Sequence, residues 1–387
     1  MCRVSRLFRD ICTKPLYSKY GDEALLWSTI LGEERTFQLA LKYGPDVDCV
    51  NEESHTPLHI AAQFGRTSMS ERLVAGGASV SLLDDYFRSA IYFAVENEHV
   101  QIVQLLARHG ADVNKPHADA QVEVCLIVAA RSGRADIIQI LLDHGADVNA
   151  ISENQESALG VACDGGHFEA SKLLLQYGVH PAKCDRDRNS PLYTASAKGY
   201  LKIVEVLLEV TPDISIDSRN DDGWTPLHAA ARGGHLKVVK MLVERGADVR
   251  ALHSYKGSPL FCGVTSKQAA VCKYLIEKGA DICQGDDRGH TPLTQAVKND
   301  DIEITKLLLS HGANVSGTVR PFNDTCLHLA CHAGESKLEI VKLLVQHGAN
   351  VRTRNRTGER PIDLAMSRDR NDIARFLYEW RSAPKPP

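Results

Sequence analysis

Residues 221–249 read DDGWTPLHAAARGGHLKVVKMLVERGADV, and the fold of the chain follows from this segment. Thr225 can cap the start of a helix, and Pro226 suits the first helical position, where a missing N–H costs nothing. Small alanines follow and allow a close helix approach, until Gly233-Gly234 ends the helix. A second helix over about residues 236–245 carries its polar residues on one stripe, so its other faces are apolar and need neighbours. The segment is therefore a helix–turn–helix unit with too little apolar surface to be stable alone.

The same unit recurs along the chain at a nearly constant interval. Successive starts of its Thr-Pro-Leu-His box, or of degenerate forms of it, are 33 to 35 residues apart. Units that cannot bury their own apolar faces stack on their neighbours and share a core with them, so the interval predicts a solenoid. The predicted starts are Thr56, Ser89, Val124, Ser157, Ser190, Thr225, Ser258, Thr291, Thr325 and Arg360.

The combined pattern resembles the ankyrin-repeat family. The Thr-Pro-Leu-His box, the alanine pair, the mid-repeat glycine and the terminal Gly-Ala-[Asp/Asn]-Val occur together, the last of these at 110–113, 145–148, 246–249, 312–315 and 348–351. The resemblance implies an all-α ankyrin-repeat solenoid of about ten to eleven repeats over residues 22–380. Residues 22–54 are expected to be a degraded first repeat and residues 359–380 a shortened last one. Residues 381–387 are expected to form a disordered tail.

Three repeats depart from the pattern. One has Gly263-Val264 in place of the alanine pair and Lys267 in place of the mid-repeat glycine. Another has two extra residues near 335–336, which predict a longer turn between its helices. A third has Thr211-Pro-Asp where others have Gly-Ala-Asp, which predicts a local bend in the stack.

Residues 1–21 precede the repeats and allow two interpretations. Val4, Leu7, Phe8 and Ile11 share one helical face, which predicts a capping helix over the first repeat. The segment SRLFR…PLY followed by ALLW also resembles the end of an F-box joined to ankyrin repeats, as in fungal proteins. That resemblance implies binding to a ubiquitin-ligase adaptor, although the leucine-proline start and first helices of a box are expected to be missing.

Composition excludes several classes of protein. A net charge of −4 with 43% hydrophobic residues is typical of a globular protein and lacks the basic excess of a nucleic-acid binder. No apolar run approaches the ~20 residues that a membrane span needs. Eleven cysteines without paired spacing, and no export signal, predict reduced thiols in the cytoplasm or nucleus. We expect a monomer with protein partners, binding neither nucleic acid nor membrane.

No motif with catalytic chemistry is present in the sequence. Phosphate-binding glycine loops, the Gly-x-Ser-x-Gly elbow and the His-Glu-x-x-His helix are all missing, so we predict no enzyme, catalytic residue or cofactor. Cys326, His328, Cys331 and His332 imitate a metal site, but the repeat register explains the first three and we predict no metal. The box histidines, such as His228, are expected to form hydrogen bonds in turns and caps.

The register also predicts where a partner binds. In ankyrin proteins partners contact the turn tips and the inner helix, which here are the residues just before each box and just after each alanine pair. Carboxylates dominate these places in the first half, and the second half is mixed to mildly basic. The bias predicts a basic partner segment for the first half, while ordinary solvated turn charge explains it equally well. The predicted contact residues are Phe64, Tyr86, Arg88, Glu123, Arg131, Glu153, Glu156, Trp224, Arg232, Tyr255 and Arg288.

Two groups of surface residues keep two interpretations each. Aromatic residues make up 6% of the chain, and those at turn positions, such as Trp224, are either partner anchors or packing between turns. The family resemblance implies that the asparagine of a Leu…Asp-Val-Asn turn can be hydroxylated. Asn114 and Asn149 fit that pattern, although asparagine also simply suits such a turn.

Overall fold

We describe the fold from a computed structural model, which places residues 14–44, 46–115, 117–118, 122–210, 214–332 and 337–382. For residues 14–19, 117–118, 122–123 and 381–382 only the backbone is described. Four expectations therefore lie outside the described residues: the apolar face formed by Val4 and its neighbours, the bend at 211–213, the longer turn near 335–336, and tail residues 383–387.

The described chain contains 22 α-helices, arranged as eleven consecutive pairs, which confirms the expected ten to eleven helical repeats. In the ten pairs that have a box, the first helix is short and begins at the box; we call it the inner helix and the helix that follows it the outer helix. The first pair has no box, and its first helix is longer. The helices are α1 (Lys14–Leu31), α2 (Glu34–Lys42), α3 (Pro57–Gln63), α4 (Thr67–Ala75), α5 (Ala90–Glu96), α6 (Val100–Arg108), α7 (Cys125–Arg131), α8 (Ala135–Asp143), α9 (Ala158–Gly165), α10 (Phe168–Gln176), α11 (Pro191–Lys198), α12 (Leu201–Val210), α13 (Pro226–Gly233), α14 (Leu236–Glu244), α15 (Pro259–Thr265), α16 (Ala269–Glu277), α17 (Pro292–Lys298), α18 (Ile302–Ser310), α19 (Cys326–Ala330), α20 (Lys337–Gln346), α21 (Pro361–Ser367) and α22 (Asn371–Ser382).

The chain divides into two compact units, Met1–Arg186 and Asp187–Pro387. The first unit contains five helix pairs and the second contains six. Each also has one antiparallel pair of two-residue strands in a turn: β1 (His117–Ala118) with β2 (Val122–Glu123), and β3 (Thr318–Val319) with β4 (Asp324–Thr325). With no larger sheet among the described residues, the predicted all-α ankyrin-repeat fold is confirmed.

Helices lie at both expected ends of the solenoid. Helix α1 runs through residues 21 and 22, and its backbone departs from helical geometry at Tyr20, where φ is −128° and ψ is 29°. Helix α22 continues to Ser382, two residues into the segment expected as a tail. The break at Tyr20 lies close to the expected boundary between residues 21 and 22, and the domain boundaries themselves remain predictions.

All ten predicted box starts are N-terminal caps with extended backbone, so the register of the repeats is confirmed. In the opening segment the backbone N–H of Thr225 donates to Nδ1 of His228 at 3.2 Å. Nε2 of the same ring donates to the carbonyl oxygen of Gly257 in the next repeat at 3.1 Å. The box therefore caps one helix and fastens two repeats, as the histidine prediction expected.

Burial keeps two box histidines, His228 and His59, in the neutral form that this bonding needs. The ring of His228 is fully buried, and burial lowers its pKa to about 4. His59, bonded in the same way to Thr56 and to the carbonyl of Leu82, also has its pKa lowered to about 4 by burial. A neutral imidazole accepts at one nitrogen and donates at the other, which is the arrangement seen in both boxes.

A second ladder of bonds links repeats at the opposite end of the inner helices. The side chain just before an outer helix donates a hydrogen bond to a carbonyl oxygen at the end of the inner helix of the preceding repeat. Within the first unit His167 donates to Arg131 at 3.0 Å, and within the second His235 donates to Ala197 at 3.0 Å. The mid-repeat glycine leaves room for this side chain, because a Cβ at Gly199 would lie 2.3 Å from the His235 ring.

Candidate protein-binding surface

The turn before each box, here called the finger, has a fixed backbone. The residue two positions before the box start has positive φ in nine of the ten repeats that have a box, including Phe87 at 59° and Gly223 at 76°. In seven of these repeats the described residues show a polar side chain, five positions before the box, that accepts hydrogen bonds from the finger's own N–H groups. Asp84 accepts from Tyr86 at 3.0 Å and from Arg88 at 2.7 Å. These hydrogen bonds make the fingers rigid. The recurring Asn or Asp at this position is a sequence signal for them that the prediction did not use.

In the first unit adjacent fingers carry exposed aromatic and acidic side chains. Tyr86 and Phe87 are 50% and 59% exposed at the tip of one finger. Ser54, in the preceding finger, donates to the Asp85 carboxylate at 2.6 Å and ties the two fingers together. Phe87 was missed by the sequence reasoning, although a bulky residue at a position that needs positive φ was a signal that could have identified it.

Three predicted contact residues of the first unit, Arg88, Arg131 and Glu156, form internal ion pairs. Nε of Arg88 donates to the buried Asp84 carboxylate at 2.8 Å, and its guanidinium lies 4.6 Å from the centre of the Phe93 ring. Although burial opposes ionisation of Asp84, hydrogen bonds from Arg88 lower the pKa of this carboxyl overall. Arg131 pairs with Glu156 at 3.3 Å across adjacent repeats. These charges therefore form ion pairs within and between repeats as well as contributing to the protein surface.

The other predicted contact residues of the first unit are dispersed. Phe64 caps the end of α3 and is 48% exposed, and Glu153 is exposed at a finger tip. Glu123 lies in β2, and its side chain is outside the described part of the structure. The structure thus brings Arg131 and Glu156 together but leaves Phe64 and Glu153 on separate repeats.

In the second unit Trp224 is the centre of an aromatic cluster. Its ring stacks on His253 of the next repeat, with centroids 4.9 Å apart and an angle of 6° between the planes. Tyr255 lies 6.0 Å from His253 and is 65% exposed, and the guanidinium of Arg232 lies 5.3 Å from the Trp224 ring. Trp224 therefore packs one finger on the next while it remains partly accessible. The last predicted residue, Arg288, is exposed in a separate finger.

A cleft of about 350 Å³ opens beside this cluster. It lies where the inner helices α11 and α13 adjoin the end of α15, so three consecutive repeats form its walls. The lining residues are Tyr193, Ala197, Trp224, Ala229, Arg232, Gly233 and Ser266. The cleft thus combines two predicted contact residues, Trp224 and Arg232, with walls of small residues.

The residues that imitate a metal site have other partners. Nδ1 of His328 accepts from the Thr325 backbone, and its Nε2 donates to the carbonyl of Glu359 at 3.0 Å. Burial raises the pKa of the Cys326 and Cys331 thiols to about 12, so both stay protonated at neutral pH. Among the described residues no group of three or more His, Cys, Asp or Glu is arranged to hold a metal ion.

The asparagines that fit the hydroxylation pattern also connect repeats. The side-chain amide of Asn114 donates to the carbonyl of Gly145 at 2.8 Å and accepts from the N–H of Asp147 at 2.7 Å. Asn149 accepts from the N–H of His180 at 2.8 Å. These bonds give both asparagines a structural role in the turn, and their modification remains a prediction.

The fold and this surface define a helical repeat protein whose fingers are held by their own hydrogen bonds. The chain belongs to the ankyrin-repeat family: the family model described as ankyrin repeats (3 copies) matches residues 25–117, 126–220, 213–286, 254–318 and 293–385. Together these matches cover most of the chain. In the described residues, no helix combines the length and apolarity that would let it cross a bilayer.

Similar curated proteins share the repeats but are longer. The chain is 29% identical over 159 residues to the ankyrin repeat and KH domain-containing protein mask-1 of Caenorhabditis elegans, matching 41% of this chain and 6% of that protein. It is 31% identical over 159 residues to the human ankyrin repeat and SOCS box protein 16, covering 39% of this chain and 35% of that protein. It is 30% identical over 197 residues to the ankyrin repeat protein nuc-2 of Neurospora crassa, covering 50% and 18%. The chain therefore spans well under two thirds of each of these relatives.

Proposed function

We propose that this protein is a non-enzymatic scaffold, working in the cytoplasm or nucleus, that binds partner proteins through its fingers and the ends of its inner helices. The observation that carries the proposal is the rigid finger with an exposed aromatic tip. At Tyr86 and Phe87 the backbone is held by Asp84, so little conformational entropy is lost when a partner covers the tip. Aromatic side chains on rigid supports are the usual anchors of protein interfaces.

Affinity capture with the full chain tests this proposal. Purified protein is immobilised and exposed to an extract of its source cells, and retained proteins are identified by mass spectrometry. We expect Tyr86→Ser combined with Phe87→Ser to lose partners of the first unit, with the circular dichroism spectrum unchanged. Lys172→Ser combined with Gln176→Ser, on outer helix α10, is the matched control. Retention of the same proteins by the finger variant would exclude these tips as contacts.

The acidic bias of the first unit supports a partner segment with basic character. Glu52, Glu53 and Asp85 are exposed beside the aromatic tip, whereas the charge of Arg88 is neutralised by Asp84. We expect Glu52→Lys with Glu53→Lys to weaken capture of first-unit partners and Glu153→Lys to add to that effect. Glu156→Lys is less informative because it also breaks the ion pair with Arg131. If the variant with all three changes captures the same partners, the acidic residues are ordinary solvated turn charges and the basic partner segment is rejected.

A second candidate function is substrate recognition for a ubiquitin ligase. It is supported by the likeness of the SRLFR…PLY…ALLW segment to the end of an F-box, and by the relative whose name joins ankyrin repeats to a SOCS box. Co-expression of the chain with an F-box adaptor, followed by size-exclusion chromatography, tests it. Co-elution that is lost in a variant lacking residues 1–13 supports the candidate, and separate elution rejects it.

A further inference from the structure

The cleft beside Trp224 has hydrogen-bond donors without acceptors. Trp224 carries an indole N–H and Arg232 a guanidinium with five N–H groups, and within the described chain neither forms a hydrogen bond or ion pair through its side chain. The guanidinium lies 5.3 Å from the centre of the indole ring. A donor-rich wall of this kind is complementary to a ligand group that only accepts.

Charge around the cleft points in the same direction. Its lining contains one arginine and no carboxylate. One further cation, Lys267, directly follows the lining residue Ser266 in the chain. The acidic pair of the adjoining finger, Asp221 and Asp222, does not line the cleft, and Asp221 lies 3.9 Å from Arg188. The local balance therefore favours an anionic occupant.

The shape of the cleft limits the size of that occupant. About 350 Å³ is room for one or two side chains and the backbone that carries them, at the small end of ligand pockets. Ala197, Ala229 and Gly233 present small walls, so an extended segment can approach the inner helices closely. The flat Trp224 ring, held by its stacking on His253, supplies an apolar surface at one side.

We propose that this cleft binds a linear segment of a partner protein by its aspartate or glutamate side chain. The carboxylate accepts charge-assisted hydrogen bonds from Arg232 and from the indole N–H of Trp224, while an apolar neighbour in the segment lies against the indole ring. The inference rests on the proposed scaffold function and gives a chemical class to the partner of the second unit. It differs from the basic partner segment expected for the first unit.

Peptide binding to the full chain tests the inference. The probes are fluorescein-labelled mixtures of peptides about nine residues long, degenerate except for a central Glu, Gln, Lys or phosphoserine, and anisotropy reports binding. We expect the Glu mixture to bind about tenfold more tightly than the Gln mixture, the effect of a good charge-assisted pair. Arg232→Gln should abolish this difference, Trp224→Phe should reduce it, and Arg352→Gln, a charge-matched change away from the cleft, should preserve it.

Several results would overturn the inference. Equal affinity for the Glu and Gln mixtures, no binding of any mixture, or a difference that persists in folded Arg232→Gln would each reject the cleft as a carboxylate site. Phosphoserine binding at least tenfold tighter than Glu would reassign it to a phosphorylated partner. Protein capture distinguishes failure of the cleft proposal from failure of the scaffold proposal. If the wild type and Arg232→Gln retain the same partners equally, only the cleft proposal is rejected. If the folded wild-type chain retains no protein, the scaffold proposal itself is rejected.

Discussion

The imidazole of His235 reaches back across one repeat and donates a hydrogen bond from Nε2 to the carbonyl oxygen of Ala197, at 3.0 Å. On its way the ring passes over Gly199, where a Cβ would lie 2.3 Å from Nδ1 and 2.6 Å from Cγ. A side chain at Gly199 and the observed position of His235 are therefore mutually exclusive. The mid-repeat glycine, which looks like a local helix stop in the sequence, is also a contact between repeats.

We expect Gly199→Ala to destabilise the protein by about 2–3 kcal/mol, measured by urea unfolding. The residue has a φ of 78°, which costs an L-residue about 1 kcal/mol, and the displaced ring also loses its bond to Ala197. The matched control is Gly246→Ala, because Gly246 has a φ of 96° but a Cβ added there would meet no atom within 4 Å. That change should cost only the conformational part, about 1 kcal/mol.

A double-mutant cycle isolates the contact between the two residues. His235→Ala removes the ring that a side chain at residue 199 would displace. Gly199→Ala should therefore reduce the free energy of unfolding much less in the His235→Ala background than in the wild type. We expect a coupling energy of about 1 kcal/mol or more. Additive effects would mean that the ring moves away from Gly199 at no cost.

Acid should destabilise the fold through the buried box histidine His228. Burial lowers the pKa of His228 from 6.5 to about 4, so the unfolded chain binds a proton that the folded chain rejects between these values. Stability from this group is complete above pH 6.5 and falls as pH decreases toward 4. The shift corresponds to roughly 3 kcal/mol, of which about 2 kcal/mol is lost by pH 5.

The measurement is the free energy of unfolding at pH 7 and pH 5 for wild type and His228→Gln. The variant should be less stable at pH 7, because it loses the bonds to Thr225 and Gly257, but its stability should change less between the two pH values. His347→Gln, at an exposed position, is the control and should keep the wild-type pH dependence. An unchanged pH dependence in His228→Gln would contradict the assignment.

Lys267 offers a stabilising substitution. It occupies the mid-repeat position where most repeats have glycine, and its φ is 58°. Because glycine adopts this conformation without the Cβ penalty, Lys267→Gly should raise stability by about 0.5–1 kcal/mol. Lys273→Gly, inside helix α16, should instead lower stability by about 1 kcal/mol, and equal effects of both changes would refute the conformational argument.

Trp224→Ala should lower stability by about 1–3 kcal/mol, because it removes the ring stacked on His253. His253→Ala should show a smaller loss in that background than in the wild type. Trp224→Phe should retain most of the stability, which lets binding be measured without a change in folding. A Trp224→Ala variant as stable as the wild type would assign the residue to partner binding alone.

The amino-acid sequence alone specified the repeat, its register and the ends of its helices. Box starts such as Thr225 cap the helix that follows them, and α14 ends at Glu244, one residue before the predicted end. These features were predictable because caps, alanine pairs and helix-ending glycines act over a few residues of chain. The recurring interval then required neighbours for every apolar face.

Which side chains meet across repeats depended on the stacked structure. His228 and Gly257 are 29 residues apart, and their bond depends on how two repeats stack. Arg88, which we expected to contact a partner, forms an ion pair with the buried Asp84 carboxylate of its own finger. Trp224 stacks on His253 of the next finger. The cleft likewise needs three repeats in place. Local patterns specify each unit, whereas contacts between units depend on angles and distances that no single unit contains.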